Sequence, residues 1–199
     1  MRALALLAAV AGIVPAEAVF EEWFTKRGVR VEIARRSPGP PWVRGTAEIA
    51  ASPDRIAQIV TDFGRYREIF APALKSARVL EGDRNRARLH LVWPYPFPLR
   101  NRDAVVEYAK EEMPGGGLRV FWRDAVRPSD PREGVRIARV LGETRIEPLE
   151  ENRSRVTYAF LGDLGGKFPR SAEEKAWRAE PVEYVRALRR ALGLPDPVS

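Results

Sequence analysis

Residues Ser171–Leu192 read SAEEKAWRAEPVEYVRALRRAL, and this stretch decides the fold. Trp177, Pro181, Tyr184, Val185, Leu188 and Leu192 recur at helical spacing and make one broad apolar face. Lys175, Arg178, Arg186, Arg189 and Arg190 lie mostly off that face. Ser171 and Glu174 have the spacing of a capping box, and Gly193 followed by Pro195 ends the helix. Pro181 predicts a kink, because its ring cannot donate to the ladder and crowds the preceding turn. A helix with so wide an apolar face needs a sheet to lie on.

The chain before it supplies one. Val29, Val31 and Ile33 alternate with Arg30, Glu32 and Ala34, the period of a half-buried strand. The breakers Ser37–Pro41 turn the chain into a second strand, Trp42–Ala50. Val19–Arg27 reads as a short helix with Phe20, Trp23 and Phe24 on one side, stopped by Gly28. Ser52-Pro53 opens a helix carrying Ile56, Ile59 and Val60, and a second short helical piece runs from Gly64 to Phe70. From Leu74 the chain is nearly all strand. Short turns at Gly82-Asp83 and Pro114–Gly117 make it an antiparallel meander that ends at Leu161. The expected class is α+β. A curved antiparallel sheet wraps a long C-terminal helix, with two short helices early in the sheet.

The 199 residues suit one domain with a real core. The absence of cysteine excludes disulfides, thiolate metal sites and cysteine nucleophiles. A lone histidine, His90, leaves no His-rich metal site. The formal net charge of +7 favours an anionic partner, against the plainer reading of scattered solvated arginine. Nucleic acid is not expected, since the arginines are dispersed and the aromatics fall on strand and helix apolar faces.

Residues 1–18 have the form of a secretory signal peptide. Arg2 is a thin basic region, Ala3–Val14 an apolar run too short to span a bilayer, and Ala16-Glu17-Ala18 a small-residue cleavage site. The alternative is an uncleaved anchor. Cleavage after Ala18 leaves a single domain at residues 19–199 that works in the periplasm or outside the cell.

Few residues offer chemistry. His90 shares a strand face with Arg86 and Arg88 and reads as a surface residue rather than a catalytic base. Gly115–Gly117 reads as a hairpin turn rather than a phosphate loop. No carboxylate pair has a spacing that demands acid–base work. The informative stretch is Trp93-Pro94-Tyr95-Pro96-Phe97-Pro98-Leu99-Arg100-Asn101-Arg102-Asp103. Its prolines cannot continue a strand, so it presents an aromatic loop and re-enters the sheet at Arg102. There Arg102, Ala104, Val106 and Tyr108 alternate with Asp103, Val105 and Glu107, and we assign Arg102's parity to the concave face. A buried arginine needs a ligand or a partner, so either Arg102 meets a bound molecule or Arg102 and Asp103 pair with neighbouring strands.

WPYPFPLRNRD, then YAFLGDLGGKFP, then PVEYVRALRRAL, in that order, resemble the START (StAR-related lipid-transfer) domain. That family belongs to the helix-grip superfamily with Bet v 1-like proteins and polyketide cyclases. The resemblance covers Trp42–Leu192; Leu164 stands where the family usually has proline before Gly165-Gly166. It implies a tunnel between the sheet and the last helix that holds a lipid or other hydrophobic small molecule, with no cofactor and no metal. By that resemblance Arg102 is the polar contact, and Trp177, Tyr184, Val185 and Leu188 are the helical wall. Tyr108, Val120 and Trp122 are sheet-side candidates by parity. Trp93, Tyr95 and Phe97 in the aromatic loop, or Gly165 and Gly166 with Pro181, would form the gate. Positive charge would favour docking on an anionic membrane surface. Two other functions stay open: a cyclase or hydrolase on the same scaffold, with Arg102, Tyr108 and His90 as its polar groups, and a protein-interaction domain with no bound ligand.

Overall fold

The structure is a computed structural model that describes residues 13–150, 152–166 and 168–197. The apolar run of the proposed signal peptide lies mostly outside the described residues. Ile13 and Val14 are described and pack against Ala34, Trp42 and Leu161 on the outer face of the sheet.

The chain forms β1 (Glu21–Lys26), β2 (Val29–Ala34), β3 (Trp42–Ile49), α1 (Pro53–Val60), a 3-10 turn (Phe63–Arg65) and α2 (Tyr66–Ile69). It continues through β4 (Ser76–Gly82), β5 (Arg86–Trp93), β6 (Arg102–Met113) and β7 (Gly117–Asp124). It ends with β8 (Val135–Arg136), β9 (Ala138–Glu150), β10 (Arg153–Asp163) and α3 (Arg170–Ala191). The strands make one curved sheet in the order β1-β2-β3-β10-β9-β7-β6-β5-β4. Neighbours on that path are antiparallel, and β8 adds a short parallel pairing to β6. The α+β helix-grip class follows, with α3 across the concave face and two short helices, α1 and α2, between β3 and β4.

Two expectations about local structure are corrected. Glu21–Lys26 is a strand rather than a helix, because Arg27 and Gly28 both take positive φ (51° and 64°) and close a two-residue hairpin onto β2. A register shift between Glu22 and Phe24 lets both Trp23 and Phe24 reach the core, which is the pattern that looked helical. Ser171 is not the helix cap. Pro169, in an extended conformation, occupies that position, and its carbonyl accepts from the amides of Ala172 and Glu173. Pro181 sits inside an otherwise continuous α3.

Two glycines set how closely the layers approach. A Cβ on Gly142 would lie 2.1 Å from Trp122 Cζ2, so Trp122 lies flat on β9 only because position 142 is bare. A Cβ on Gly45 would lie 2.5 Å from Pro181 Cβ, so α3 rests on β3 at the proline. The concave parity of the central strands is apolar: Leu89 faces Val106, and Tyr108 faces Trp122, across the β5–β6 and β6–β7 ladders. All four are buried.

Candidate functional site

A cavity of about 130 Å³ lies between α3 and the concave face of the sheet, bounded on one side by the α2–β4 segment. Its wall is mostly apolar and rich in aromatic rings. Six rings form a closed circuit, each in contact with the next. Tyr66 meets Tyr108 at 5.6 Å between centroids, Tyr108 meets Trp122 at 5.5 Å, and Trp122 meets Tyr158 at 5.5 Å. Tyr158 stacks on Tyr184 at 3.9 Å, Tyr184 stacks on Phe70 at 5.1 Å, and Phe70 returns to Tyr66 at 4.6 Å. The circuit takes one ring each from α2, its C-terminal flank, β6, β7, β10 and α3, so every layer of the fold contributes. Offset and stacked pairs of this kind add about 0.5–1.5 kcal/mol each beyond their burial.

The polar atoms in this wall are sparse. Burial holds Tyr66, Tyr158 and Tyr184 well above the ordinary phenol range and raises Tyr108 as well, so all four are neutral phenols at physiological pH. Burial also pushes Tyr95 up to about 12. The Tyr184 hydroxyl shares a 2.8 Å hydrogen bond with Thr144 Oγ1. Tyr158 Oη donates to Glu180 Oε1 at 3.2 Å. Among the described residues no Lys, Arg or His lines the cavity; Glu180 and Glu183 supply its carboxyls. Burial raises Glu180 above the usual carboxylate range, while the Tyr158 hydrogen bond opposes the shift. Among the described residues no group of His, Asp and Glu comes together that could hold a metal ion.

The structure sorts the residues singled out from sequence. Tyr108, Trp122, Trp177, Tyr184, Trp93 and Tyr95 all line the cavity. Val120, Val185 and Leu188 are fully buried but lie outside its wall. Val120 is on β7, against which α1 packs, and Val185 and Leu188 belong to the flank of α3 that fills the core. Pro181 is buried against Gly45, which makes it a packing contact rather than a free hinge. Phe97 projects from the aromatic loop with 96% of its surface exposed. Gly165 and Gly166 take positive φ (61° and 66°) in the connector to α3.

Arg102 is placed on the concave parity as expected, but its guanidinium is not a cavity contact. It donates to the carbonyls of Leu164 (2.8 Å), Gly165 (3.2 Å) and Arg100, and stacks on Phe168 at 4.7 Å. Those carbonyls belong to the connector and the aromatic loop, so Arg102 ties the two together at one end of the sheet. The expectation for His90 is also corrected. It is 4% exposed, on the opposite face of the sheet from the cavity. Its Nε2 is 2.9 Å from Asp103 Oδ2, which also meets Arg136 at 2.9 Å. The loop between β7 and β8 covers this face, pinned by Arg88 to Asp130. His90, Arg102 and Tyr108 therefore do not converge on one point.

Glu180 was not singled out from sequence. It sits three residues after Trp177 and four before Tyr184, on the same helical face, so a charge interrupting that apolar stripe was the available signal.

Residues 41–193 match the family described as polyketide cyclase / dehydrase and lipid transport. The chain belongs to that family. Its fold is that of START domains. A STAR-related lipid transfer protein from Xanthomonas axonopodis superposes with a TM-score of 0.77 at 22% identity, covering 87% of this chain and 98% of that one. Human StAR-related lipid transfer protein 5 gives 0.77 at 14% identity, over 89% and 88% of the two chains. An aromatase/cyclase from Streptomyces shares the fold more distantly, with a TM-score of 0.56 at 16% identity over 75% and 94%. In sequence, an uncharacterised protein of Pseudomonas aeruginosa is 24% identical over 197 residues, 96% of each chain.

Proposed function

We propose that this protein binds one hydrophobic small molecule, a lipid or lipid-like compound, between α3 and the sheet, and that it carries or senses that molecule outside the cytoplasm. The observation that carries this reading is the closed aromatic circuit lining an apolar cavity, with no assembled catalytic group beside it among the described residues. Burying hydrocarbon there contributes about 0.8 kcal/mol per methylene, enough for binding without chemistry.

The cavity is smaller than the roughly 300–1,000 Å³ of sites for drug-sized ligands, so uptake requires α3 or the adjoining loops to move outward. The loop from Pro94 to Asn101 and the connector from Leu164 to Pro169 are the segments we assign to that motion, with Arg102 as the latch between them. Phe97 and Arg100, both exposed on that loop, would meet an anionic membrane surface together.

The test is native mass spectrometry of the protein isolated from its own secreted or periplasmic fraction, followed by solvent extraction and lipid analysis. A stoichiometric hydrophobic adduct is expected. An empty protein that also takes up neither fluorescent sterols nor fluorescent phospholipids would exclude the binding reading. A bound compound recovered chemically altered would favour a cyclase-type activity instead.

A further inference from the structure

We propose that Glu180 selects the ligand's polar end. The cavity admits an amphipathic molecule whose head donates a hydrogen bond, a hydroxyl or a protonated amine, and turns away a carboxylate or phosphate. This rests on the binding reading above and adds the head-group class to it.

Among the described residues Glu180 and Glu183 are the carboxyls in the cavity wall, and the wall holds no cation. Glu183 is occupied, because both its oxygens accept from Arg186, at 2.9 and 3.0 Å. Glu180 has no such partner. Among the described residues its one hydrogen bond is the donation from Tyr158 to Oε1, and no salt bridge reaches it. Its Oε2 is left to accept from whatever enters. The phenols in the wall are neutral hydroxyls and accept more weakly than a carboxylate. Tyr158 already donates to Glu180, and Tyr184 is engaged with Thr144.

Glu180 is half-buried against aromatic rings, where a second charge interacts with it more strongly than in open water. A carboxylate or phosphate head would face Glu180 with no arginine or lysine among the described wall residues to offset the repulsion. A hydroxyl completes the acceptor at no electrostatic cost. A protonated amine is in addition attracted by the carboxylate. Glu180 is also centrally placed. It lies on α3 between Trp177 and Tyr184, both of which line the same cavity, so a ligand held by the aromatic circuit brings its head within reach of the carboxyl.

Dodecanol, dodecylamine and dodecanoate share one alkyl chain and differ only in the head. Binding of each to the full chain at neutral pH is measured by competition with a fluorescent fatty alcohol, in the wild type, Glu180→Gln and Glu183→Gln. The wild type should bind dodecanol or dodecylamine at least tenfold more tightly than dodecanoate. Whichever of the two leads identifies an alcohol or an amine as the natural head. Glu180→Gln should bring the anion to within threefold of dodecanol and abolish any preference for the amine, while Glu183→Gln keeps the wild-type order. Dodecanoate binding as well as dodecanol to the wild type overturns the proposal, as does an unchanged order in Glu180→Gln. Either result leaves the cavity as a lipid site that does not read its head through Glu180. If none of the three probes nor the fluorescent alcohol binds, the binding reading itself fails. The wild-type order alone decides the matter if Glu180→Gln does not fold.

Discussion

Tyr158 on β10 and Tyr184 on α3 stack 3.9 Å apart at an interplanar angle of 16°. They are the shortest ring contact in the structure's aromatic circuit, and they join the last strand to the last helix. Tyr184→Ala opens the circuit and leaves a void, with an expected loss of about 3–5 kcal/mol in urea unfolding. Tyr184→Phe keeps the ring and removes only the bond to Thr144, so it should lose roughly 1 kcal/mol and keep ligand uptake.

Gly142→Ala places a methyl group 2.1 Å from Trp122 Cζ2. The same methyl would lie 2.7 Å from the Ala159 carbonyl oxygen, and Trp122 lines the cavity, so a displaced indole intrudes on it. The variant should lose roughly 1–3 kcal/mol of stability from overpacking and most of its ligand capacity. Adding Trp122→Leu to Gly142→Ala should restore part of both, which a denaturation series and a lipid-uptake assay would reveal.

Arg102→Leu removes a buried cation from three carbonyls. A hydrogen bond from a charged group is worth roughly 1.5–3 kcal/mol, so the unfolding midpoint should fall clearly while the fold survives. Because the connector to α3 is freed, ligand exchange should quicken. Equal exchange rates in wild type and variant, read by stopped-flow transfer, would argue against the latch.

Burial raises the Glu180 carboxyl in the folded protein above its value in the unfolded chain, with Tyr158 opposing. Between those two values the folded state holds more protons, so stability falls as pH rises. The penalty is absent well below the unfolded value of about 4.3 and complete above the folded one. Glu180→Gln should therefore be more stable than wild type at pH 7–8 and lose that advantage toward pH 4. Thermal unfolding across that range checks it, and an advantage that is flat with pH would contradict it.

Phe97→Ser should leave thermal stability unchanged, since the side chain is exposed, and weaken sedimentation with anionic vesicles several-fold. The contrast with neutral vesicles separates insertion of the ring from attraction of Arg100.

The sheet, its final helix and the concave parity were legible because they rest on local periodicity: Val106 and Tyr108 on β6, Trp122 on β7, Trp177 and Tyr184 on α3. What failed depended on partners distant in sequence. His90 looked solvated beside Arg86 and Arg88, yet the β7–β8 loop closes over it and Asp103 reaches it from the next strand. Arg102 was placed on the right face, but two of its three acceptors are carbonyls some sixty residues onward, and carbonyls leave no mark in a sequence. The helix expected over Val19–Arg27 gave way to β1 because the Arg27-Gly28 turn and pairing with β2 outweighed a locally helical pattern. Val185 and Leu188 share the apolar stripe with Tyr184, and spacing alone does not say which part of a wide stripe meets a cavity and which meets the core.

The place of β10 in the sheet governs the order of assembly. β1–β3 form one meander and β4–β9, apart from the β8 pairing, another, and strand pairing joins the two through β10, which lies between β3 and β9. A chain emerging from its N-terminus thus carries two separate half-sheets until residue 163 is available, and α3 follows still later. The cavity, walled in part by β10 and α3, is therefore completed last, and a truncation before β10 removes the strand that pairs the two half-sheets rather than yielding a smaller version of the same protein.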